Sequence, residues 1–270
     1  MPRGFPGRHF ARILMERRGL LAGLVKRDFS MRYKGSMAGW IWGVIHPIVL
    51  LISYTFVFNG LLKQTPGPGE ATQNFPLFLF AGMLPWLLFS ETVQRSATSL
   101  IEQATLITKT VFPSEIVPVA IFLSSLASHC IAFVLAIAGV AALLHRGSPA
   151  LLAFPLLVLL LGLFAVGLAW IVAGLQVYLR DSAQILIVML TLWFWVTPIF
   201  ISAEKFPRKI RFLLWANPLT PLVRAYRDIL LAGRWPRLSE LSVSAAWGVA
   251  VFLGGGLFFR QLKRGFADVL

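Results

Sequence analysis

Six long apolar runs alternate with short polar segments along this chain of 270 residues. Each run is continuous rather than alternating between apolar and polar positions, which is typical of membrane-spanning α-helices and not of the strands of a membrane β-barrel. A hydrocarbon core about 30 Å thick requires about 20 such residues per spanning helix. The pattern therefore predicts an all-α, polytopic membrane protein with about six transmembrane helices, at residues 41–62, 75–98, 116–144, 151–178, 185–201 and 241–259.

A different pattern precedes the first span. Between residues 10 and 29 apolar side chains recur at helical spacing, and basic side chains occupy much of the remaining surface. This predicts an N-terminal interface helix that lies on the cytoplasmic surface of the membrane, within a cytoplasmic segment at residues 1–40. Two roles are open for it: an anchor that only fixes topology, or an element that transmits force to the span that follows.

The second span is polar at its cytoplasmic end. Glu91 and Arg95 are four residues apart, so in a helix they could pair with each other, line an aqueous path, or lie where the helix projects into the cytoplasm. Counting spans from a cytoplasmic N-terminus places the next loop, residues 101–115, on the cytoplasmic side. We expect this short loop to form a structured surface that a cytoplasmic partner can reach.

Residues 202–238 break the usual distribution of charge. They carry eight basic residues, although five preceding spans place them outside, where basic residues are ordinarily fewer. Their apolar groups are too short to cross a bilayer and are interrupted at Pro218. We therefore expect an outer re-entrant or interfacial hairpin of two short helices. Such a hairpin is stable within the membrane only where protein or water covers its broken backbone. The alternative is a loop that rests on anionic headgroups.

Composition excludes several classes of protein. The chain is 57% hydrophobic and 13% charged, with a mean hydropathy of +0.77, far from the profile of a soluble domain. Its net charge of +14 is concentrated beside the spans, where it contacts headgroups and fixes orientation, so no nucleic-acid partner is expected. Basic residues at both ends of the chain predict that the N-terminus and the tail at 261–270 are both cytoplasmic. The transmembrane domain lies between them in the sequence, at 41–260.

The chain also lacks the residues for most chemistry. One cysteine permits no internal disulfide, four scattered histidines predict no metal site, and no G-x-x-x-x-G-K-[ST] loop can hold nucleotide phosphates. The acidic residues are dispersed, without a recognisable arrangement of nucleophile, base and orienting carboxylate. The protein is therefore expected to bind no cofactor, to catalyse no reaction and to take its energy from another protein.

Five motifs together resemble a known family, although each alone is weak. They are LVKRDFSMRYKGSMAGWIWGVIHP at 24–47, SLIEQATLITKTVFPSEIVP at 99–118, YLRDSAQI at 178–185, WFWVTPIF at 193–200 and NPLTPLVRAYRDILLAGRWP at 217–236. In this order, on six spans, they resemble the membrane subunit of type-2 ATP-binding-cassette exporters. The similarity is to the branch that exports lipid-linked polysaccharides such as O-antigens, capsules and teichoic acids.

The resemblance implies a homodimer of this chain in the bacterial cytoplasmic membrane, joined to two copies of a separate ATPase that uses ATP and Mg²⁺. A lipid-linked polysaccharide would pass between the two permease subunits. By position, residues 106–112 correspond to a coupling helix, 10–29 to the interface helix and 206–224 to outer gate helices. The coupling residues would be Glu102, Leu106, Lys109, Phe112 and Pro113, with Arg27 and Asp28; the outer-gate residues would be Phe206, Phe212, Trp215, Asn217 and Pro218.

Aromatic residues are the candidates for the lining of the path. A sugar chain has polar hydroxyl groups and apolar C–H faces, so rings beside polar groups would let it slide without tight binding. The candidates are Phe80, Trp86, Phe89, Trp193, Phe194 and Trp195, with Glu91. The alternative is that these rings form interfacial belts or pack within the bundle.

Three other functions fit part of the pattern. An exporter of the same family could carry a small molecule or a lipid instead of a polymer. A membrane-embedded glycosyltransferase would need clustered acidic residues on a cytoplasmic loop to hold a diphosphate through a metal ion, and the loops have none. A proton-coupled transporter would rely on Glu91, the one good intramembrane acid. An ATPase that accompanies the chain would distinguish an exporter from the last two classes.

Overall fold

The computed structural model describes residues 15–36, 39–110, 112–145 and 147–269, and within them the chain is helical, without a β-strand. This confirms the predicted all-α class. Two helices continue as π-helical turns, Trp42–Thr55 through Phe56–Leu61 and Leu219–Arg227 through Asp228–Ala232. In chain order the helices are α1 Arg18–Tyr33, α2 Trp42–Thr55, α3 Phe75–Glu102, α4 Ala104–Lys109, α5 Ile116–Leu144, α6 Phe154–Tyr178, α7 Ser182–Val196, α8 Phe212–Ala216, α9 Leu219–Arg227, α10 Leu238–Leu262 and α11 Phe266–Val269.

Five helical segments of the described residues are long and apolar enough to cross a membrane: Trp42–Leu61, Phe75–Glu102, Ile116–Leu144, Pro149–Tyr178 and Leu238–Gly265. These establish a polytopic membrane protein.

A sixth apolar helix, α7, has only 15 residues and rises about 22 Å, less than the thickness of the hydrocarbon core. Its bounds differ from the predicted 185–201. The helix ends at Val196 because Pro198 disfavours helical backbone in the preceding residue, and Thr197 is extended.

The core of the bundle lies between α3 and α6. Phe78 and Phe89 of α3 and Trp170 of α6 are fully buried and belong to one large apolar cluster. In a bilayer such contacts stabilise the bundle through close packing rather than through transfer out of water. This cluster packs α3, one of the helices that carry the candidate site, against α6.

Glycine brings α6 and α10 into close contact. An added Cβ on Gly255 would lie 2.1 Å from the carbonyl oxygen of Gly167, and one on Gly167 would lie 2.5 Å from the carbonyl oxygen of Val251. Two helix backbones can approach to this distance only where side chains are absent, as in other small-residue contacts between membrane helices.

The segment at 202–238 contains the short helices α8 and α9 on either side of Asn217 and Pro218. Helix α9 is almost entirely buried, against α3, α6 and α10. Its Arg227 lies 3.6 Å from the centre of the Phe78 ring and donates a hydrogen bond of 2.8 Å to the carbonyl oxygen of Ile199. Protein thus covers the break at Asn217 and Pro218 and most of α9, and the buried charge of Arg227 has polar and aromatic partners.

The described part of the interface helix is α1; its predicted beginning at residue 10 lies outside the described residues. Helix α1 packs along the first half of α5, where Leu24 belongs to a buried cluster with Ile116 and Ala120. The interface helix is therefore attached to the third span as well as leading into the first.

Candidate functional site

Six polar side chains join α1 to α3 and α5, and we call them the polar latch. The latch comprises Asp28 and Arg32 of α1, Glu91 and Arg95 of α3, and Ser125 and Ser128 of α5. The Nη2 of Arg95 donates to both carboxylate oxygens of Asp28 at 2.7 Å. Arg32 forms an ion pair with Glu91, which also accepts a hydrogen bond of 2.6 Å from Ser125. Each charge of the latch therefore has an opposite charge as its partner.

Glu91 is shared between two guanidinium groups. Its carboxylate lies 3.6 Å from Nη1 of Arg95, in addition to the ion pair with Arg32. It also borders a cavity of about 340 Å³ whose wall includes His46 and His129. A carboxylate held by two arginines and a serine is a structural tie between helices, which argues against the use of Glu91 as the carrier of a proton-coupled transporter.

The loop expected to couple to an ATPase forms the short helix α4. Leu106 and Lys109 are exposed on it, and Glu102, which directly precedes it, is also exposed. Arg27 of α1 donates a hydrogen bond of 3.2 Å to the side-chain oxygen of Gln103. A protein that docks on α4 would therefore contact an element that is connected to both α1 and α3.

The remaining coupling candidates lie further inside. Phe112 is partly buried against the cluster of Leu24 at the base of α5, and Pro113 beside it is partly buried as well. Asp28 points to Arg95 in the latch. The structure thus brings Glu102, Leu106 and Lys109 to one exposed surface, while Phe112 and Asp28 hold α1 in place behind it.

The C-terminal end of the chain supports the same region. The Nζ of Lys263 donates to the carboxylate of Glu115 at 2.6 Å, and the hydroxyl of Tyr178 donates to the carbonyl oxygen of Leu262 at 2.8 Å. Phe266 is buried, and α11 contacts α4. These contacts were not predicted. The available signal was Glu115 at the start of a span, since an acid that becomes buried there requires a cation.

Six rings from α2, α3, α7 and the segment after α7 form one aromatic cluster, Tyr54, Phe58, Trp86, Phe194, Trp195 and Phe200. Trp195 is 55% exposed and stacks on Phe200 with ring centroids 5.4 Å apart. A cavity of about 300 Å³ lies beside the cluster, and its wall also carries the polar side chains of Gln94 and Thr191. This is a surface of rings next to polar groups, the combination that suits a sugar chain.

Phe80 and Phe89 occupy the protein interior. Phe89 is fully buried and stacks on Phe164 with centroids 5.4 Å apart, and Trp193 meets it edge-on at 5.2 Å. Phe80 is 5% exposed and belongs to a second buried cluster around Tyr226. In this chain the two rings fit the alternative of packing within the bundle rather than the lining of a path.

Asn217 connects a path candidate to the outer helices. Its Oδ1 accepts hydrogen bonds from the indole Nε1 of Trp193 at 2.9 Å and from the backbone N–H of Leu219 at 3.0 Å. Its Nδ2 donates to the hydroxyl of Thr197 at 3.0 Å. One amide therefore caps the beginning of α9 and holds it against the end of α7.

The other gate candidates differ in exposure. Phe212 and Trp215 of α8 are 64% and 82% exposed, Phe206 is partly buried, and Pro218 is buried. Lys205 attaches this segment to the loop after α2 by donating to the carbonyl oxygen of Thr65 at 2.6 Å. Large apolar side chains on an exposed outer helix can rest on the membrane surface or cover the mouth of a path.

A charged cavity of about 280 Å³ lies beside these outer elements, with Glu70, Glu204, Arg224 and Arg227 in its wall. Burial raises the pKa of Glu70 above its ordinary value of 4.5, against the smaller opposing effect of Arg227. The basic excess of the outer segment is thus partly matched by Glu70, an acid from another loop. A single sequence does not reveal that match because Glu70 and Arg227 are far apart along the chain.

Several residues of the aromatic cluster and the polar latch were not predicted. Tyr54 and Phe58 are four positions apart in the first span, which places them on one helix face, and that spacing was a usable signal. Ser125 and Ser128 carried no signal, because serine is common within membrane helices. Among the described residues, no group of three or more His, Cys, Asp or Glu side chains could hold a metal ion.

Comparisons with known proteins cover nearly the whole chain. The family described as ABC-2 type transporter matches residues 20–231. The O-antigen export system permease protein RfbA of Myxococcus xanthus is 30% identical over 261 residues, which is 95% of this chain and 97% of that protein. A protein of the same name from Klebsiella pneumoniae is 28% identical over 257 residues, 93% and 95% of the two chains. The polysialic acid transport protein KpsM of Escherichia coli is 22% identical over 242 residues, 87% and 90% of the two chains.

Proposed function

Because this chain belongs to the ABC-2 type transporter family, we propose that it is the transmembrane subunit of an ATP-driven polysaccharide exporter in the bacterial inner membrane. The observation that carries this function is the similarity, over almost the full chain, to permeases named for O-antigen export. The similarity to a polysialic acid transport protein supports the same class of substrate. The substrate is a lipid-linked polysaccharide of the O-antigen, capsule or teichoic-acid type.

Membership of the family implies an ABC ATPase as partner, and two copies of it bind a homodimer of this chain. The exposed surface of α4, with Leu106 and Lys109, receives the ATPase. The basic residues of α1 support a cytoplasmic position for the chain ends. The chain itself hydrolyses no ATP.

The homodimer forms along α2 and α7. These neighbouring helices share ring contacts, such as Tyr54 with Phe194, and expose large apolar side chains on their outward faces. Ile52 of α2 and Val188 and Leu192 of α7 are each more than 60% exposed. A second copy at this face would bring two aromatic clusters to the two sides of one path.

Movement passes from the ATPase to the path through the contacts of α4. Helix α4 follows α3 directly and is joined to α1 by Arg27 and Gln103. Helix α3 carries Trp86 and Gln94, so a tilt of α3 changes the cavity beside the aromatic cluster. Asn217 joins α7 to α9, and a shift of α7 therefore reaches the outer helices.

The function is tested by the surface polysaccharide of a strain that lacks this chain. Reintroduction of the chain with its ATPase should restore the polymer at the cell surface. An ATPase that cannot bind nucleotide should leave the polymer inside the cell. Normal surface polysaccharide in the deletion strain, or restoration without ATP binding, would refute the assignment.

Docking of the ATPase is tested by Leu106→Asp, with Leu238→Asp as the matched control. Leu106 is exposed on α4, and Leu238 is exposed at the other end of the bundle. A charge in the centre of a protein interface disrupts binding, so Leu106→Asp should abolish both co-purification of the ATPase and export. Leu238→Asp should preserve both. Equal co-purification of the two variants would exclude α4 as the docking site.

The path is tested by Trp195→Ala, with Trp247→Ala as its control. Trp195 belongs to the aromatic cluster, whereas Trp247 is 41% exposed on α10. Loss of the ring should slow polymer export while ATP hydrolysis continues, because a stacking surface is removed and the ATPase contacts remain. Equal export rates for the two variants would remove Trp195 from the path.

A further inference from the structure

A shallow apolar groove runs between α1 and the outward face of α5. Its volume is about 490 Å³, and its wall consists of Arg18, Leu21, Ala22, Val25, Lys26 and Phe29 of α1 with Leu123 and Ala127 of α5. The α1 residues recur at intervals of three and four, so they form one stripe about 16 Å long. The small side chains of Ala22 and Ala127 leave the depression between the two helices.

The groove lies at the depth of one membrane leaflet. Helix α5 has 29 residues and is about 44 Å long, so when it is centred it extends about 7 Å beyond the hydrocarbon core at each end. Leu123 is seven residues from the α5 start at Ile116, about 10 Å, and therefore lies just inside the hydrocarbon. Arg18 and Lys26 are exposed and can reach the headgroup layer above it.

The charge of the groove has one sign. Among the described residues no acidic side chain lines it, and the nearby Asp28 is held by Arg95 in the latch. Two exposed cations at the edge of an apolar slot complement a molecule that has an anionic head and an acyl chain.

We propose that this groove binds an anionic phospholipid of the cytoplasmic leaflet, with its phosphate near Arg18 and Lys26 and an acyl chain over Leu123 and Ala127. The choice of leaflet rests on the proposed function, which places α1 on the cytoplasmic side. The lipid fills the gap between α1 and α5 on a face of α1 adjacent to the one that carries the latch. Since Arg27 connects α1 to the start of α4, bound lipid also steadies the helix next to the ATPase docking surface.

The test counts lipids on the purified complex of this chain with its ATPase by native mass spectrometry, after addition of phosphatidylglycerol or phosphatidylcholine. Phosphatidylglycerol should bind preferentially. The double variant Arg18→Gln, Lys26→Gln should weaken this binding roughly thirtyfold, the factor that corresponds to about 1 kcal/mol for each cation near an anionic surface. The matched control Arg208→Gln, Lys209→Gln removes the same charges from an exposed part of the outer segment and should bind normally.

A second pair of variants tests the shape of the groove without a change of charge. Ala127→Trp should fill the floor and weaken phosphatidylglycerol binding, whereas Ala141→Trp, on an exposed position near the other end of α5, should not. Both positions are exposed, so the larger side chain does not enter the core.

Three results would overturn the proposal. The first is equal phosphatidylglycerol affinity for the two double variants. The second is a change of oligomeric state in Ala127→Trp without a change in lipid binding, which would assign the groove to a second copy of the chain. The third is binding of a polyprenyl phosphate without phosphatidylglycerol, which would assign it to the transported lipid. Because lipid is counted on the protein itself, a failure of export in cells bears on the proposed function and leaves this measurement intact.

Discussion

Gly254 and Gly255 are neighbours on α10, and alanine should lower stability at Gly255 but not at Gly254. An added Cβ at Gly255 would lie 2.1 Å from the carbonyl oxygen of Gly167 and 2.8 Å from its carbonyl carbon. At Gly254 no atom lies within 4 Å of the added Cβ. A contact between carbon and oxygen normally requires about 3.3 Å, so α6 and α10 would have to separate by roughly 1 Å in Gly255→Ala.

The magnitude follows from two opposing effects. Overpacking of a tight contact costs about 1–3 kcal/mol, and the upper part of this range applies because the obstacle is backbone, which cannot rotate away. Alanine in place of glycine favours a helix by up to about 1 kcal/mol at either position. Gly254→Ala should therefore be neutral or slightly stabilising, and Gly255→Ala should be less stable than Gly254→Ala by about 2–3 kcal/mol.

Thermal unfolding of the detergent-solubilised protein, followed by tryptophan fluorescence, measures this difference. For a chain of this size about 1 kcal/mol shifts the Tm by about 2–4 °C, so the two variants should differ by roughly 4–12 °C. Both variants change the same residue type on the same helix, and each therefore serves as the control of the other. Equal Tm values for the two variants, or a lower Tm for Gly254→Ala than for Gly255→Ala, would refute the close backbone contact between α6 and α10.

Three further predictions concern the polar contacts. Asp28→Asn and Arg95→Gln should each speed hydrogen exchange of the α1 amides about tenfold, since a partly exposed, charge-assisted pair contributes about 1–2 kcal/mol. The double variant should exchange little faster than either single variant, because both substitutions break the same pair. Asn217→Ala should destabilise the protein by about 2 kcal/mol in thermal unfolding, because it leaves the indole N–H of Trp193 without its acceptor. Burial raises the pKa of Glu70, so the stability contributed by its neutral carboxyl is present below pH 4.5 and is lost as the pH rises through the raised pKa. Glu70→Gln should remove this decline from a series of Tm values measured between pH 4 and 8.

The first two of these predictions have control variants elsewhere in the chain. Arg234→Gln breaks an ion pair at the opposite end of the bundle and should leave exchange of α1 unchanged. Asn59→Ala removes one hydrogen bond, to the carbonyl oxygen of Gln64, and should cost less than Asn217→Ala. Additive effects in the double variant would contradict the pairing of Asp28 with Arg95. Equal Tm values for Asn217→Ala and Asn59→Ala would contradict the importance of the hydrogen bond from Trp193. The same pH profile with and without Glu70 would contradict the raised pKa of Glu70.

The types of residue in the aromatic cluster could be predicted from the sequence, but the exposure of the individual rings could not. Aromatic residues were expected beside polar ones, and the structure contains such a cluster, yet Phe89 lies in the core while Trp195 is 55% exposed. Both are large rings in apolar spans, and the sequence around them does not distinguish their surroundings. Exposure depends on which helices stand beside each face, and in a bilayer an outward face is as apolar as an inward one.

The sequence by itself determined the helical class, the approximate positions of the five long spans and the lack of a nucleotide-binding loop. Run length and residue type are local properties of the chain, and a bilayer core accepts only segments of suitable length and apolarity. Only the tertiary structure decided the partners of the polar residues. Asp28 meets Arg95 across 67 positions, and Lys263 meets Glu115 across 148. Such pairs form only after helices have packed, since the choice of partner depends on the rotation and depth of each helix and not on the residues next to it in the chain.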